Sequence, residues 1–570
     1  MEDDLDLGGY ITLSAAVAAA LYLISAPLLL LLVAAFRGPG DLLPFEPGAT
    51  WTLEHVRTIF TNPILYRVTL PDTLMFVGGS VSVTFVIAFA LAWLVERTDL
   101  PQHSFFFVLI LFPLLVPSVM LGIAWIQLYG PNAGWLNALV QQVPGLSNRA
   151  PFDIFTFKGL IACQAAALVP FVFLLLSATL KTMNPALEEA SSASGATPLV
   201  TFLKVTWPVL RPGVLAPLML AALIALEQFD IPLLVGVPAR VDVFSTRVFY
   251  ELNPDSGLPV YGRAAAVALP FLVLAVLLLA GYNRLVRRSE RYVTVTARGF
   301  RVARYPLGRW RWPAFGLVAG YVTLTSVLPA IALVWTSVFG NHPPSWASLS
   351  RPTLAAYVRV VTDPAFGGAV VNTLVVAGLS ALLVTAIGAL LAWIRARSHL
   401  PGRAAVDVVT TLSIGIPSVI AGLATMLLYL TLPVPIYGTI WILVLGYSYR
   451  LAVATRVSRA ALMQIDGSMD EASAVAGATW STTIRRIVFP LLLPSLTASF
   501  VLLFVIGVRE FTLPLVLGSR DNVVLGVMLW RLFEDGHAAE ASALASMVIA
   551  LVVPIILAMR RHVVRRMELT

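Results

Sequence analysis

Four charged residues, Glu227, Asp230, Arg509 and Glu510, stand inside apolar runs of the 570-residue chain. Each costs about 2.5–3.5 kcal/mol at mid-span on insertion scales, so a structural or functional reason has to offset it. At a register shift of 282 residues, Glu227 aligns with Arg509. If their runs begin near 213 and 495, both lie about 21 Å from the inner surface at 1.5 Å per residue. Opposite charges at equal depth can pair, and the pair would close the outer end of a pathway or only fasten helices together. Pro232 and Pro514 follow, each depriving the carbonyl four residues back, on Gln228 and Glu510, of its helical donor. Broken backbone beside charge fits a polar path, because lipid does not tolerate it. Pro117 and Pro417, each followed by serine, interrupt two other runs in the same way.

Other chemistry is excluded. The three lysines, Lys158, Lys181 and Lys204, follow Phe157, Leu180 and Leu203, so no Gly-Lys-Ser/Thr phosphate loop exists. No zinc-binding histidine pair, Gly-x-Ser-x-Gly elbow or carboxylate pair in a soluble cleft is present, and no metal site is expected. The single cysteine, Cys163, rules out an intramolecular disulfide. These absences argue against a membrane-embedded enzyme.

The elements that must position the charges are membrane spans. With 58% hydrophobic and 12% charged residues and a mean hydropathy of +0.87, the chain has more apolar surface than a soluble domain can bury. About twelve apolar runs are long enough to cross roughly 30 Å of hydrocarbon. They lie near 10–36, 73–95, 104–130, 159–181, 214–237, 264–283, 313–339, 369–394, 405–431, 436–457, 496–518 and 541–559. The run at 436–457 is interrupted by Tyr447, Tyr449 and Arg450. The acidic start MEDDLDLGG is not a secretory signal, and the first run reads as an uncleaved span. With the N-terminus inside, 24 of the 38 Lys and Arg residues fall in inside segments and 12 in the longer outside loops. That asymmetry places both termini in the cytoplasm, and it explains the net charge of +8 without nucleic acid.

The chain is an internal duplication. The stretch from Asp72, DTLMFVGGSVSVTFVIAFALAWLVERTDLP, matches NTLVVAGLSALLVTAIGALLAWIRARSHLP from Asn372 at an offset of 300. VPSVMLG at Val116 and IPSVIAG at Ile416 keep that offset, which later falls to 282. The first half therefore carries about 18 extra residues, assigned to the outside stretch 130–159. The expected fold is an all-α polytopic membrane protein of two parallel six-helix repeats. The halves are 1–283 and 313–570, joined by a basic cytoplasmic linker at 284–312 that reads as a solvated loop.

Each half repeats one polar segment: EEASSASGATPLVTFLKVTWPVL from Glu188 and DEASAVAGATWSTTIRRIVFPLL from Asp470. Both read as two short helices joined at glycine, within about 184–213 and 466–495. Asn184 and Asp466 are N-cap candidates, Pro185 is a favoured first helical residue, and Glu188, Glu189, Asp470 and Glu471 suit the positive end of a helix. Gly195 and Gly477 would end the first helix in left-handed backbone. Thr197 and Thr479 would cap the second, and Pro208 and Pro490 would end it at the membrane. Small residues at Ala190, Ser191, Ala472 and Ser473 leave a face another protein can approach closely.

The pattern Glu189-Ala190-Ser191, then Gly195 and Trp207-Pro208, and again Glu471-Ala472-Ser473, Gly477 and Phe489-Pro490, resembles the cytoplasmic loop of binding-protein-dependent ABC importer permeases. That family usually has alanine where Ser191 and Ser473 stand, and a smaller aliphatic residue where Trp207 and Phe489 stand. The resemblance covers both halves. It implies a type I importer fold in which the loops couple to two copies of a separate ATPase subunit. ATP and Mg²⁺ would bind that partner and no cofactor would bind this chain, while an extracytoplasmic binding protein delivers substrate for alternating access. It implies the inner membrane of a prokaryote. The fused layout and EQFDIPLLVGVPARVDVFSTRVFYEL from Glu227 are most similar to the ferric iron and thiamine branch, which points to ferric iron, with thiamine, polyamine or phosphonate as alternatives. A secondary transporter of two six-span halves would explain the repeats but not the two equally spaced polar loops.

Overall fold

The computed structural model describes residues 7–551 and 554, except 39–42, 133, 144, 146–149, 182, 184–185, 255–256, 290–303, 345–347, 399–402 and 552–553. Nearly all of it is helix; the only sheet among the described residues is a two-stranded one pairing Arg37–Gly38 with Thr50–Trp51. Asn184, Pro185 and residues 290–303 of the basic linker lie outside the described residues.

Among the described residues, nine helices are long and apolar enough to span a membrane, from Tyr10–Ala34 to Trp480–Arg509, or ten with the pair His103–Leu115 and Ser118–Tyr129, bent by 103°. The two expected spans that carry Pro117 and Pro417 are divided at those prolines. Pro117 has extended backbone and opens the bent pair's second helix, and Pro417 stands at the start of the shorter helix Ser418–Thr431 in the same way. The last run is described only as the shorter apolar helix Ala538–Leu551.

Pro208 and Pro490 do not end their helices. Pro198–Glu227 and Trp480–Arg509 are continuous, and a five-residue π-turn precedes each proline, at Phe202–Thr206 and Ile484–Val488. Proline's ring strikes the carbonyl four residues back and supplies no N–H. The wider turn moves that carbonyl away, with the N–H of Trp207 reaching Phe202 and that of Phe489 reaching Ile484. The same device precedes Pro27, Pro71 and Pro329, with π-turns at Leu21–Ser25, Leu65–Thr69 and Thr323–Val327. At these five prolines the widened turn lets the helix run on, unlike the breaks at Pro117 and Pro417.

Two compact units result, and they are not the sequence halves. One comprises 1–63, 247–276 and 364–528; the other 64–246, 277–363 and 529–570. Each repeat's first span thus packs with the other repeat's helices: Ala26–Ala34 on Ser418–Thr431 in the first unit, and Leu328–Phe339 on Ser118–Tyr129 in the second. The core of the second unit gathers Leu91, Val95, Phe173, Leu176 and Val214 with Val318 from the exchanged span. In the first unit, helix Pro364–Arg397 packs so closely on Leu451–Leu462 that a Cβ on Gly388 would come within 2.4 Å of the Ala454 side chain. The extra stretch at 130–159 forms helix Trp135–Gln141, fixed by Asn137, whose amide donates to the carbonyls of Gly130 and Phe152 and accepts from the Phe152 N–H.

Candidate functional site

The two polar loops are built alike. Helices Ala186–Ala193 and Ser468–Val475 end at Gly195 and Gly477, with φ of +80° and +79°. That left-handed conformation costs an ordinary residue about 1–2 kcal/mol and glycine almost nothing. The N–H of Ala196 returns to the Ser191 carbonyl and that of Ala478 to the Ser473 carbonyl, satisfying acceptors at the helix end. Thr197 then accepts from the Val200 N–H and Thr479 from the Thr482 N–H, opening the next helix. Asp466 Oδ1 accepts from the Ser468 N–H at 3.0 Å, a bond that holds its carboxyl below the usual range.

Ser191 and Ser473, the departures from the family's alanine, have a function within the loop. Ser191 Oγ lies 2.9 Å from Thr201 Oγ1, and Ser473 Oγ lies 2.8 Å from Thr483 Oγ1. Each pair ties the loop's two helices across the glycine turn. Replacing Ser191 or Ser473 by alanine leaves a buried threonine hydroxyl without this partner and is expected to cost about 1 kcal/mol. Thermal unfolding of the purified chain checks this; an unchanged transition would show that the hydroxyl pairs hold nothing.

Of the loop carboxylates, Glu189 and Glu471 are exposed, whereas Glu188 is buried. Glu188 forms an ion pair with the fully buried Arg97 and also accepts from Thr206 Oγ1 at 2.8 Å and the Tyr305 hydroxyl at 3.0 Å. Its counterpart Asp470 faces Arg397 at 3.7 Å, and Arg397 spends Nη2 on the carbonyls of Leu462 and Ile465. Burial raises the Asp470 carboxyl above its usual range, with Arg397 opposing the shift, and its Oδ1 is buried without a hydrogen-bond partner. Thr206 is replaced by Val488 at the equivalent place. Sequence reasoning missed both arginines, although Arg97 and Arg397 stand at the offset of 300 that defines the repeat.

The loops also expose apolar side chains: Leu187, Leu199 and Leu203 on the first, Met469 and the 90% exposed Val475 on the second. Ala190 and Ala472 are exposed between them. Trp207, on the inner side of the first loop, packs against Phe85 and Phe89.

The intramembrane charges stand at helix breaks. Helix Trp207–Glu227 ends on Glu227 and Phe489–Arg509 on Arg509, and the next residues, Gln228 and Glu510, are extended, with ψ of 130° and 126°. Both terminal charges are half-buried. In the second unit, the Gln228 carbonyl, denied its donor by Pro232, accepts from Ser245 Oγ at 2.8 Å, and Asp230 accepts from Ser118 Oγ beside Pro117. In the first unit, Ser418 beside Pro417 lies 2.8 Å from the Tyr449 hydroxyl, which donates to Glu510 at 3.4 Å. Arg450 pairs with Glu510 at 2.5 Å, and Glu510 also accepts from the N–H of Leu513 in the short helix containing Pro514. In each unit, then, the serine after the broken-span proline is linked to a carboxylate after the second helix break. The polar interruption Tyr447–Arg450 is a 3₁₀ turn serving this network. Among the described residues no group of three His, Cys, Asp or Glu side chains could hold a metal ion.

A helical membrane chain with two braced polar loops, and with broken, charged helices inside its spans, is a transport component rather than an enzyme. The chain belongs to the binding-protein-dependent transport system inner membrane component family, which it matches over residues 84–291 and again over 384–568. It is 27% identical to the ferric transport system permease protein FbpB of Actinobacillus pleuropneumoniae, over 90% of this chain and 73% of that one. Its identity to the Fe(3+)-transport system permease protein FbpB 2 of Haemophilus influenzae is 24%, over 80% and 82%. The sulfate transport system permease protein CysT of Salmonella typhimurium is 27% identical over 41% of this chain but 81% of its own length. The match to this family in both repeats sets aside the secondary-transporter reading.

Proposed function

We propose that this chain is the membrane-spanning subunit of an ATP-driven ferric iron importer. Its two loops engage two copies of a separate ATPase that binds ATP and Mg²⁺, and an extracytoplasmic binding protein delivers the substrate. Both termini lie in the cytoplasm of a prokaryotic cell, an orientation that the excess of Lys and Arg in the inside segments supports. The observation that carries the reading is the duplicated loop: the same left-handed glycine, threonine cap and hydroxyl pair, each beneath exposed apolar side chains. Two such surfaces fit two copies of one partner. Small residues permit close approach, and the exposed apolar groups supply area to bury. ATP-driven movement of the partner would pass through the loops into helices that continue unbroken as far as Glu227 and Arg509, where the charged breaks lie.

Ferric iron is favoured because the relatives named for ferric transport match most of the two-repeat chain, whereas the relative named for sulfate matches 41% of it. Uptake of radiolabelled ferric iron in cells lacking this chain is expected to fall to background and to return with it. Undiminished uptake in its absence would sink the iron assignment and direct the same assay to thiamine, polyamines and phosphonates.

A further inference from the structure

The segment that joins the two repeats does more than connect them. Just before helix Arg311–Val322, Tyr305 lies alongside the cytoplasmic end of helix Leu70–Arg97. Its N–H donates to the Arg97 carbonyl at 2.8 Å and its carbonyl accepts from the Asp99 N–H at 3.3 Å, forming a parallel bridge with Thr98. Two residues on, the Leu307 N–H donates to Asp99 Oδ1 at 2.8 Å. The ring stacks on Trp93, and the Arg97 guanidinium lies 5.8 Å from the ring centroids of both Tyr305 and Trp93. The phenol donates to Glu188 in the first loop. One tyrosine from the connection thus touches both members of the buried pair that anchors helix Ala186–Ala193.

We infer that Tyr305 is a positioning residue for the first loop, so that the connection between the repeats is part of the coupling apparatus and the two loops are held unequally. The inequality rests on particular groups. Glu188 has a buried arginine and two hydroxyl donors, one from the connection, whereas Asp470 is one methylene shorter, sits 3.7 Å from an arginine shared with carbonyls and has Val488 in place of Thr206. Burial and the neighbouring Glu188 carboxylate both raise the Tyr305 phenol, which keeps it a donor. The coupling consequence rests on the importer reading above, but the geometric assignment does not.

The test is Tyr305→Phe, which keeps the ring against Trp93 and Arg97 and removes the donor. Hydrogen exchange of the purified full chain is expected to be about tenfold faster in 186–193, the effect of losing one hydrogen bond to a charged group, and unchanged in 468–475. Exchange unaltered in 186–193, or accelerated equally in both loops, would overturn the positioning role. In liposomes holding the complete complex with ATPase and binding protein, the variant is expected to move severalfold less ferric iron per ATP hydrolysed. An unchanged ratio would overturn the coupling consequence. If the unaltered complex moves no iron with ATP, the importer reading fails, while the exchange result still decides the role of Tyr305.

Discussion

Glu188→Gln is expected to destabilise the protein by about 3–5 kcal/mol, because it leaves the fully buried Arg97 without a counter-charge. Arg97 Nε and Nη1 have no hydrogen-bond partner, so the guanidinium relies on the Glu188 carboxylate and the Trp93 and Tyr305 ring faces. Glutamine keeps one accepting oxygen, so it can accept from Thr206 or from Tyr305 but not at both places, and it carries no charge. Asp470→Asn is expected to cost much less: Asp470 is 10% exposed, stands farther from its arginine and already has an unsatisfied oxygen. The double replacement Arg97→Met with Glu188→Leu removes both charges together and is expected to regain most of the loss. Thermal unfolding in detergent measures all three. A Glu188→Gln transition no lower than that of Asp470→Asn would refute the unequal anchoring of the loops.

The features that could be read from the sequence are those written in local order. A repeat at offsets of 300 and 282 carried the two-half organisation, and composition carried the membrane class. Within each loop, glycine and threonine have one conformational use each, and Gly195, Gly477, Thr197 and Thr479 are found in it. Helix continuity through Pro208 was not legible. A proline inside an apolar stretch stops or kinks an α-helix by the usual rule, and whether a π-turn rescues it depends on what packs around the widened turn. Here Trp207 is fixed by Phe85 and Phe89, more than a hundred residues away in the chain. Glu188 shows the same limit. Its place in a helix's first turn suggested dipole compensation at the surface, and only the fold brings Arg97 and Tyr305 to it. The exchange of first spans between the compact units was likewise invisible, because a periodic apolar run says that a helix is buried but not against what.

Replacing Gly195 and Gly477 together by arginine is expected to abolish ATP-driven uptake while leaving a chain that still inserts and folds. At both positions a Cβ would meet no atom within 4 Å, so the folded chain has room for a side chain and the cost is backbone strain alone. At φ near +80° that strain is about 1–2 kcal/mol per site, spread over two loops at the protein surface rather than in its core. The functional cost is larger. The arginines would stand among the exposed Leu199, Val475, Ala190 and Ala472, on the face proposed to meet the ATPase, adding bulk and charge where close apolar approach is required. Gly195→Ala with Gly477→Ala carries the same strain with only a methyl group, and separates the two causes. If the alanine pair keeps most of its uptake and the arginine pair keeps none, with equal amounts of chain in the membrane, the loops act through contact. If both pairs lose uptake equally, the turn's shape is what matters. If the arginine pair transports normally with the ATPase still bound, the loops are not the coupling surface, and the route from ATPase to the charged helix breaks must be sought elsewhere on the cytoplasmic face.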